Sequence, residues 1–576
     1  MTTIHTNENF ISRIIREDLE QGVFSREMAT RFPPEPNGYL HLGSAFAITT
    51  NAGLAEQFGG TFHLRMDDTN PLKEDQEYVD AIVRDMEWLG YEPPLHYGSD
   101  YGEQYYAAAQ RLIRNGKAYV CDLSPDEMVR YRGTLTEKGT DSPYRERSAE
   151  HNLQLFEDMR NGKYEAGEKV LRAKIDMESS NITLRDPVLY RIIHAPHYRT
   201  GTMWCIYPMY DFAHPIQDAI EGITHSLCSI EFKEHRPLYE WVLTELDVSE
   251  PPKQREFGRL NITGAVTSKR YLRELVSGGH VDGWDDPRLP TLQGLRRRGY
   301  TPESIRTFFG EIGMIRTSST VDIGMLEHAV RQNLKPRAIS AMVVLKPLKV
   351  VITNYPEHHI EWLSVENNAE NESLGERSLP FGREIWIERE DYMDVPERGF
   401  HRLSPGVEVR LKGAYFIGCE HAIYNEKGEL TELHCTYDPE TKSGSGFNAR
   451  KVKSTIHWVE ATHAAAVEVH LYDRLLLDEE AADPTTDTIN WANRINPHSR
   501  QIITQAFAEP ALSQPAANTH YQFLRHGYFY EDSRYSQADH PVYNLVVSLK
   551  DSWKGGKGSK DVKSSKGSTN SEGSKD

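Results

Sequence analysis

Arg31-Phe-Pro-Pro-Glu-Pro-Asn-Gly-Tyr-Leu-His-Leu-Gly-Ser44 decides the fold of the N-terminal half. Residues 29–32 predict the end of a short strand, because the prolines that follow cannot continue a sheet ladder. Asn37-Gly38 predicts a turn, and the apolar residues after Ser44 predict a buried helix. A strand, a tight loop and a helix present the helix N-terminus to an anion. The stretch therefore predicts a phosphate site at His41, although His41 alone is equally compatible with a packed structural histidine.

The length and composition are those of a multidomain globular protein. A chain of 576 residues is too long for one core, and it is 38% hydrophobic and 26% charged. It contains no apolar run of about 18 residues that would predict a membrane span. The first residues also lack the pattern of a signal peptide. We therefore expect a soluble, cytoplasmic protein.

The five cysteines predict free thiols. They are scattered along the chain and odd in number, which is typical of a reducing compartment. No Cys-x-x-Cys pair occurs, so we expect no structural metal. Cys419 and His434-Cys435 are better explained as packed partners on adjacent strands than as a metal site.

The net charge of −19 is unusual for a protein that binds nucleic acid. A polyanion responds to local patches rather than to the formal sum, and basic clusters occur at Arg296-Arg-Arg298 and Arg450-Lys-Val-Lys453. Each cluster alone is also compatible with a solvated face. The charge pattern therefore permits confined RNA-binding tracks on an acidic protein.

The N-terminal half alternates strands with helices. Residues 27–100 and 208–260 carry this pattern, with a buried strand at 62–66 and a helix opened by Asn70-Pro71. It predicts a parallel sheet whose ligands bind at the carboxyl ends of the strands. Residues 101–207 interrupt the alternation and predict an inserted domain.

The two ends of the chain differ from this central pattern. Residues 1–26 predict an amphipathic helix that packs outside the first domain, with an apolar face formed by Phe10, Ile14, Ile15 and Leu19. Residues 554–576 contain little besides Lys, Gly, Ser and Asp, which predicts disorder.

The C-terminal half changes its period. Residues 261–340 predict helices, one of them starting at Thr301-Pro302 as cap and first helical residue. Residues 341–553 alternate apolar and polar side chains with a period of two, including 452–458 as one strand and 425–428 as a hairpin loop. An all-β segment of this length predicts barrels.

These motifs resemble those of class I aminoacyl-tRNA synthetases. His41-Leu-Gly-Ser44 is similar to the His-Ile-Gly-His signature, and Val266-Thr-Ser-Lys-Arg270 is similar to Lys-Met-Ser-Lys-Ser. Within the class, the resemblance is to glutaminyl-tRNA synthetases, and it spans all but the last two dozen residues. The stretches that carry it are Phe32–Gly38, Asp67–Pro71, Cys205–Phe212, Glu221–Cys228, Gly294–Tyr300, Lys451–Trp458 and Ala508–Pro510.

The resemblance implies a fold and an activity. The fold is an α/β Rossmann-like catalytic domain with an inserted acceptor-stem-binding domain, a helical subdomain and two C-terminal antiparallel β-barrels that bind the anticodon. The activity is glutamine–tRNA ligase: L-glutamine reacts with ATP to form an adenylate, and the aminoacyl group then moves to tRNA(Gln). Mg²⁺ is expected to travel with ATP, and we expect a monomer with no DNA or membrane partner.

The resemblance also implies the nucleotide site. His41, Ser44 and Lys269 are the implied catalytic residues, with His41 donating to phosphate oxygens and Lys269 neutralising charge as pyrophosphate leaves. The implied ATP-binding residues are Glu35, Pro36, Asn37, His41, Leu42, Gly43, Ser44, Ser229, Arg259, Leu260, Thr267, Ser268 and Lys269.

The implied glutamine pocket is argued from charge. Asp67 is expected to bind the amino group and Tyr210 to face the carboxamide, with Arg31 beside the pocket. Cys228 stands where glutamyl enzymes usually carry an arginine, and an unpaired ligand carboxylate would be costly against a thiol. Gln254 agrees with a glutamine ligand.

The implied tRNA contacts are Arg402, Arg410, Gln522 and Arg525 at the anticodon and Glu234 near the acceptor end, where the family has an aspartate. Arginine and glutamine suit the recognition of splayed bases.

Several departures from the family pattern leave alternatives open. Ser44 replaces the second signature histidine, Phe46 replaces a lysine, and Ser340 replaces an arginine of the first barrel. The nearest alternative is a glutamyl-type synthetase with relaxed amino acid choice. A tRNA-binding paralogue without aminoacylation activity and a paralogue that aminoacylates another acceptor also remain.

Overall fold

The computed structural model describes residues 8–477 and 491–550, so the segment predicted to be a disordered tail lies outside the described residues. The N-terminal helix, α1, spans Phe10–Glu20 and is capped by Asn9, whose side chain accepts from the N–H groups of Ile11 and Ser12. Ile11 and Ile15 are buried against the first domain, whereas Ile14 is only partly buried. An amphipathic helix is present, but it is shorter than the predicted 1–26: it ends at Glu20, residues 1–7 lie outside the described residues, and its apolar face is shifted towards Ile11.

The parallel sheet predicted for the first half is present. Its first elements are β1 (Ala29–Phe32), α2 (Leu42–Gln57), β2 (Thr61–Met66), α3 (Gln76–Trp88) and β3 (Leu95–Tyr97). The strands pair in parallel in the order β1-β2-β3. The prediction that a helix opens at Asn70-Pro71 is wrong. Residues 71–73 form a turn, and α3 begins after Asp75, whose carboxylate accepts a hydrogen bond from Glu77 N–H. Asn70 N–H donates instead to Glu74 Oε1, which closes the turn.

The segment predicted as an insertion contains an antiparallel sheet of its own. Its elements are α4 (Gly102–Arg114), β4 (Ala118–Cys121), α5 (Pro125–Arg132), α6 (Ala149–Arg160), β5 (Val170–Ala173), β6 (Val188–Ile192) and β7 (Ile206–Pro208). The four strands follow one another in the order β4-β5-β6-β7. Aromatic and aliphatic side chains from α4, α6 and this sheet share a core, which extends onto the helix that follows β7.

The chain then returns to the parallel layer. The returning elements are α7 (Tyr210–Ile220), β8 (His225–Ser229), α8 (Arg236–Glu245) and β9 (Lys253–Phe257). β8 and β9 pair in parallel, and β8 adjoins β1 where Thr224 N–H donates to Ala29 O. The carboxyl ends of strands from both parts of the chain therefore meet at one edge.

Helices connect this layer to the C-terminal half, as predicted. They are α9 (Lys269–Ser277), α10 (Leu292–Arg298), α11 (Pro302–Ile312) and α12 (Ile323–Leu334), with the short parallel pair β10 (Leu260–Ile262) and β11 (Ser319–Val321). Thr301 caps α11 through Ser304 N–H, with Pro302 in the first turn. No helix in the described ranges meets the length and hydropathy needed to cross a bilayer.

Two seven-stranded sheets form the remainder. The strands of this part of the chain are β12 (Ile339–Ala341), β13 (Val343–Val344), β14 (Pro347–Ile352), β15 (Glu361–Glu366), β16 (Glu376–Phe381), β17 (Glu384–Glu388), β18 (Glu408–Leu411), β19 (Phe416–Tyr424), β20 (Leu430–Asp438), β21 (Thr455–Ile456), β22 (Trp458–Glu460), β23 (Ala465–Tyr472), β24 (Arg500–Ala508), β25 (His520–Phe523), β26 (Gly527–Glu531) and β27 (Val542–Ser548), with a short helix α13 (Trp491–Arg494). β15 and β16 pair separately as a hairpin.

Each seven-stranded sheet is nearly closed by one split strand. The proximal barrel has the order β21-β18-β19-β20-β14-β17-β22, and the distal barrel has the order β12-β25-β26-β27-β23-β24-β13. The two edge strands of each sheet are consecutive in the chain and are separated by one residue, His457 in the proximal barrel and Met342 in the distal one. The single strand predicted over 452–458 is therefore divided at His457.

The two predicted barrels are confirmed, but they are not wholly antiparallel. β14 pairs in parallel with β20, β18 with β21, β12 with β25, and β23 with β27. Parallel neighbours need a long crossover between them, and the intervening strands supply it. A period of two in the sequence cannot distinguish these directions, because both kinds of strand alternate their side chains.

Candidate active site

A cavity of about 710 Å³ opens where the parallel strands end and α2 begins. Both signature stretches contribute to its wall. Of the residues implied for ATP and glutamine, those on the wall are Glu35, His41, Gly43, Ser44, Asp67, Tyr210, Cys228, Ser229, Arg259, Leu260, Thr267, Ser268 and Lys269. The position agrees with the rule that ligands bind at the carboxyl ends of parallel strands.

His41 is the N-cap of α2, and its hydrogen bond determines its tautomer. Its Nδ1 accepts from Gly43 N–H at 3.0 Å, so Nε2 carries the ring proton. Burial lowers the pKa of His41 to about 3, and the Lys269 and Arg259 cations act in the same direction. A Cβ on Gly43 would lie 2.9 Å from His41 Cε1, so glycine is needed there. The ring is a neutral donor at the start of a helix.

Ser44 and Phe46 are two departures from the family pattern, and the structure shows what each side chain contacts. Ser44 Oγ lies 3.5 Å from His41 N as the second half of a capping box. Accepting that bond leaves the hydroxyl proton available to a ligand. Phe46 is buried against Phe257 and Phe309, with ring centroids 5.9 and 5.5 Å away. An aromatic core therefore replaces a cation at that position.

Lys269 links the second signature stretch to the first. Its Nζ donates to Asn37 Oδ1 at 2.9 Å and to Glu35 O at 3.4 Å, although Asn37 and Lys269 are 232 residues apart. Burial lowers the pKa of this ammonium group. Arg273, one turn further along α9, donates to Asn37 O at 2.9 Å. The charge of Lys269 meets a carboxamide and a carbonyl rather than a carboxylate.

Asp67 contributes a carboxyl group to the cavity wall. Burial raises the pKa of its carboxyl to about 7, and the Glu74 and Glu35 carboxylates act in the same direction. The Thr69 hydroxyl donates to Asp67 Oδ1 at 3.3 Å. A ligand ammonium group would favour the ionised carboxylate. The wall is therefore suited to an amine.

The wall beside Cys228 is electrically neutral. Burial raises the pKa of the Cys228 thiol to about 12. The Tyr210 ring stacks on His214 with centroids 4.7 Å apart. Burial also raises the pKa of Tyr210 well above its usual value, so the Cys228 and Tyr210 side chains both remain uncharged at neutral pH.

Arg31 lies behind this wall rather than on it. Its guanidinium donates to Asp218 Oδ1 at 3.0 Å, to Ser226 Oγ at 2.7 Å and to Leu227 O at 2.8 Å. Burial alone would raise the pKa of Asp218, but the Arg31 and Arg65 cations hold it well below its usual range. The positive charge of Arg31 is therefore already compensated.

Gln254 also lies behind the wall. Its Nε2 donates to Phe232 O and to Glu256 Oε1, both at 3.0 Å. Glu256 in turn pairs with Arg236. Gln254 thus occupies a network that supports Phe232, which does line the cavity.

Some of the remaining residues implied for the nucleotide site line the cavity, and others lie outside it. Arg259 on the wall pairs with Glu231 Oε1 at 3.0 Å, and Ser229 Oγ lies 3.5 Å from the same carboxylate. Pro36, Asn37 and Leu42 do not line the cavity. Leu42 N–H donates to Pro290 O, which attaches the start of α2 to the segment before α10.

Sequence reasoning missed Arg191 and Glu74, which both line the cavity. Arg191 belongs to β6 of the antiparallel sheet, and its buried Nε has no hydrogen-bond partner among the described residues. Neither residue lies in a recognisable motif, so no local signal pointed to them. They bring one cation and one carboxylate to the cavity wall, and the Glu74 carboxylate is close enough to Asp67 to raise its pKa.

Two of the implied anticodon residues meet at Asp391 between the barrels, and a third, Gln522, lies on β25 three residues before one of them. Arg402 lies 3.2 Å from Asp391, and Arg525 donates to both Asp391 oxygens at 2.9 and 2.7 Å. Gln522 pairs in register with Ser340 on the neighbouring strand. We call Asp391, Arg402, Gln522 and Arg525 the barrel junction.

The other two implied tRNA residues lie apart from the barrel junction. Arg410 donates to Thr441 O and Ser443 Oγ at 3.2 and 3.0 Å and covers the Phe416 ring. Glu234 is exposed, and its carbonyl accepts from the side chains of Asn181 and Thr183. Glu234 therefore connects the layer of β8 to the inserted segment.

Comparison with protein families agrees with this geometry. Residues 27–336 match the model described as tRNA synthetases class I (E and Q), catalytic domain. Residues 338–438 and 455–532 match two models described as the anti-codon binding domain of the same synthetases. Together these matches span the parallel layer, the connecting helices and both barrels except the last strand, β27.

Curated relatives are similar over nearly the whole chain. A Glutamine--tRNA ligase of Clostridium perfringens is 54% identical over 555 residues, which is 96% of this chain and 100% of the relative. Those of Clostridioides difficile and Nitrobacter winogradskyi are each 53% identical, covering 97% and 96% of this chain and 100% and 98% of the relatives. A glutamate tRNA ligase structure from Elizabethkingia meningosepticum, 18% identical over 54% of this chain and 70% of that chain, has a TM-score of 0.41, which is too low to support a conclusion.

Proposed function

The chain belongs to the class I tRNA synthetases of the E and Q family, and on that premise we propose that it is a glutamine–tRNA ligase that uses the cavity between the two signature stretches. In the first step a glutamine carboxylate oxygen attacks the α-phosphorus of ATP, and the bond to pyrophosphate breaks. In the second, a ribose hydroxyl at the end of tRNA attacks the aminoacyl carbonyl, and AMP leaves.

The phosphate end of the reaction is assigned to His41, Ser44 and Lys269. The Nε2–H of His41 and the N-terminus of α2 donate to phosphate oxygens, where charge develops as the α-phosphorus is attacked. The Ser44 hydroxyl donates a further hydrogen bond to a phosphate oxygen. Lys269 exchanges its bond to Asn37 for the departing pyrophosphate, a charged partner that its present neutral acceptors do not match. Mg²⁺ would arrive with ATP, since this ion is usually held by few carboxylates together with substrate phosphates.

The amino acid end is assigned to Asp67, Tyr210 and Cys228. The ionised Asp67 carboxylate holds the ammonium group of glutamine. The carboxamide lies against the neutral wall, where the Tyr210 hydroxyl can exchange hydrogen bonds with its oxygen or nitrogen. A glutamate carboxylate would lie near Arg31, but that cation is committed to Asp218, so the carboxylate would stay unpaired.

The barrel junction is the proposed anticodon contact, with Arg410 as a further contact on the proximal barrel. Arg402 and Arg525 can offer guanidinium groups to base edges or stack on splayed bases, and Gln522 can form paired hydrogen bonds to one base. Glu234 is assigned to the acceptor end. Arg191 is added to that end, because its cation projects from the inserted sheet into the cavity.

The convergence of His41 and Lys269 on one cavity carries the proposal. The test is aminoacylation of total tRNA with labelled glutamine and, in parallel, labelled glutamate, followed by identification of the charged species. Selective charging of tRNA(Gln) with glutamine is expected. Equal use of both amino acids would favour the glutamyl-type alternative, and the absence of any charging would favour an RNA-binding role without catalysis.

A further inference from the structure

Three potential metal ligands meet where the two barrels touch. Glu388 ends β17, His457 divides β21 from β22, and His526 lies in the turn between β25 and β26. Their ligand atoms all lie within 4.8 Å of one another, and this is the only such group found among the residues that the structure describes. Two ligands come from the proximal barrel and one from the distal barrel.

The spacing of these atoms suits a tetrahedral ion. Nε2 of His526 lies 2.9 Å from Glu388 Oε1, and Nε2 of His457 lies 3.5 Å from the same oxygen. Zinc bonds of about 2.0–2.1 Å separate neighbouring tetrahedral ligands by about 3.3 Å. The two observed separations lie on either side of that value.

The ring nitrogens of His457 are buried and unpaired among the described residues. The side chain of His457 is 1% exposed, and its Nε2 lies 3.5 Å from Glu388 Oε1. Neither ring nitrogen has a hydrogen bond of normal geometry to any described residue. Buried polar atoms are normally paired, because an unpaired one loses its hydration without compensation. The imidazole is therefore positioned to coordinate a metal ion.

The carboxylate is held in position by the backbone. Glu388 Oε1 accepts from Leu345 N–H at 2.7 Å, and Oε2 accepts from Lys346 N–H at 3.0 Å. Metal-binding carboxylates are commonly oriented by such outer hydrogen bonds. The nearby Arg525 cation is paired with Asp391, which limits its repulsion of a bound ion.

We propose that Glu388, His457 and His526 form a zinc site that fastens the distal barrel to the proximal one. Two imidazoles and one carboxylate suit zinc better than calcium or magnesium, which prefer oxygen ligands. Water would take the fourth position from the side of His526, which is partly exposed. This site runs against the absence of a structural metal expected from the cysteine pattern.

The proposed ion would also order the barrel junction. His526 directly follows Arg525, and Asp391 lies three residues after Glu388. Fixing His526 to Glu388 therefore fixes Arg525 against Asp391, next to Arg402. The zinc would set the distance between RNA-contact residues of the two barrels.

The test is metal binding by the full chain after chelator treatment. Co²⁺ is added as a spectroscopic probe, with Zn²⁺ as competitor. We expect one Co²⁺ per chain with the visible spectrum of a tetrahedral site, displaced by Zn²⁺, and a Zn²⁺-dependent rise in Tm. His526→Gln should weaken Co²⁺ binding more than tenfold and abolish the Tm rise. His434→Gln is the matched control, because His434 also bonds a glutamate, Glu432, at 2.7 Å in the proximal barrel but belongs to no three-ligand group among the described residues.

A second measurement does not depend on the folding of any variant. Anomalous scattering at the zinc edge, from crystals of the unaltered chain grown with Zn²⁺, should place one peak between the three side chains. A peak elsewhere, no stoichiometric binding of either metal, or equal binding by parent and His526→Gln would each overturn the proposal.

Discussion

The catalytic cavity and the barrel junction both gather charged side chains, but they satisfy those charges differently. In the cavity, Lys269 meets a carboxamide and a carbonyl, and Asp67 meets a threonine hydroxyl. At the barrel junction, Asp391 pairs with both Arg402 and Arg525. Buried charges without ionic partners are costly, so a ligand that supplies the partner gains that energy. RNA at the junction must instead replace pairs that already exist. Substitutions in the cavity should therefore have the larger effects.

The sharpest test of this contrast is Lys269→Met. Removing one preorganised donor to developing charge lowers the rate by roughly 10²–10³-fold in comparable sites. We expect a loss of that size in ATP–pyrophosphate exchange, measured with tRNA present, while the free energy of unfolding changes little.

Arg273→Met is the matched control for this substitution. It removes a cation from the same helix that bonds the same loop but does not line the cavity. Equal losses in both variants would mean that Lys269 only fastens the two loops together, and the contrast between cavity and junction would fail.

The corresponding test at the barrel junction is Arg402→Ala, with Gln522→Ala as its partner. Each should lower kcat/KM for tRNA roughly 5–150-fold, because the base contact that is lost contributes about 1–3 kcal/mol of free energy. ATP binding, measured by equilibrium dialysis, should stay unchanged.

The control at the barrel junction is Arg389→Gln, an exposed arginine whose guanidinium bonds only Leu430 O among the contacts described. It should leave tRNA charging unaltered. A parallel loss of ATP binding in Arg402→Ala would show that the two regions are not separable.

Cys228→Arg tests whether the neutral wall selects the amino acid. An arginine there would add an uncommitted cation, and a hydrogen-bonded charged pair contributes about 2 kcal/mol. The ratio of glutamate to glutamine use in aminoacylation should rise by roughly 30-fold. Cys228→Ser, which keeps the wall neutral, should leave the ratio unchanged; an unaltered ratio in Cys228→Arg would remove Cys228 from the pocket.

The smallest expected effect is the pH dependence of glutamine binding. Asp67 has a pKa of about 7 before ligand binds, and the ammonium group binds the ionised carboxylate. A proton therefore competes with glutamine, and affinity should fall as pH decreases through 7, by about tenfold between pH 8 and pH 6. Calorimetric titration measures this, and Asp67→Asn should bind weakly with a flat profile. An equally steep profile in Asp67→Asn would assign the titration to another group.

Local patterns predicted most of the elements correctly. The proline-rich stretch after Phe32 and the cap at Thr301 predicted where β1 ends and α11 begins. Asn70-Pro71 misled because a proline can open a turn as readily as a helix, and here Glu74 accepts the Asn70 N–H. The division at His457 was missed because both halves of 452–458 keep the same period, although one half pairs with β18 and the other with β17.

The site was predicted unevenly for a related reason. Residues within contiguous motifs, such as His41 and Lys269, are on the cavity wall. Arg31 is behind it, because it is held by Asp218, 187 positions away. Gln254 is behind it, because its amide donates to Phe232 O and to Glu256. Arg191, Asp391 and Glu388 carried no local signal, since each gains its meaning from side chains more than a hundred positions away or in another sheet.

By itself, the sequence determined the family, the order of strands and helices, and the two motifs that bear the phosphate chemistry, because backbone turns, caps and hydrophobic periods are set by residues a few positions apart. Only the tertiary structure decided which charges are compensated, which side chains line the cavity and where the barrels meet. Compensation depends on distances between groups that the chain brings together only when it packs, and a carboxylate that neutralises an arginine looks the same in the sequence as one that waits for a ligand.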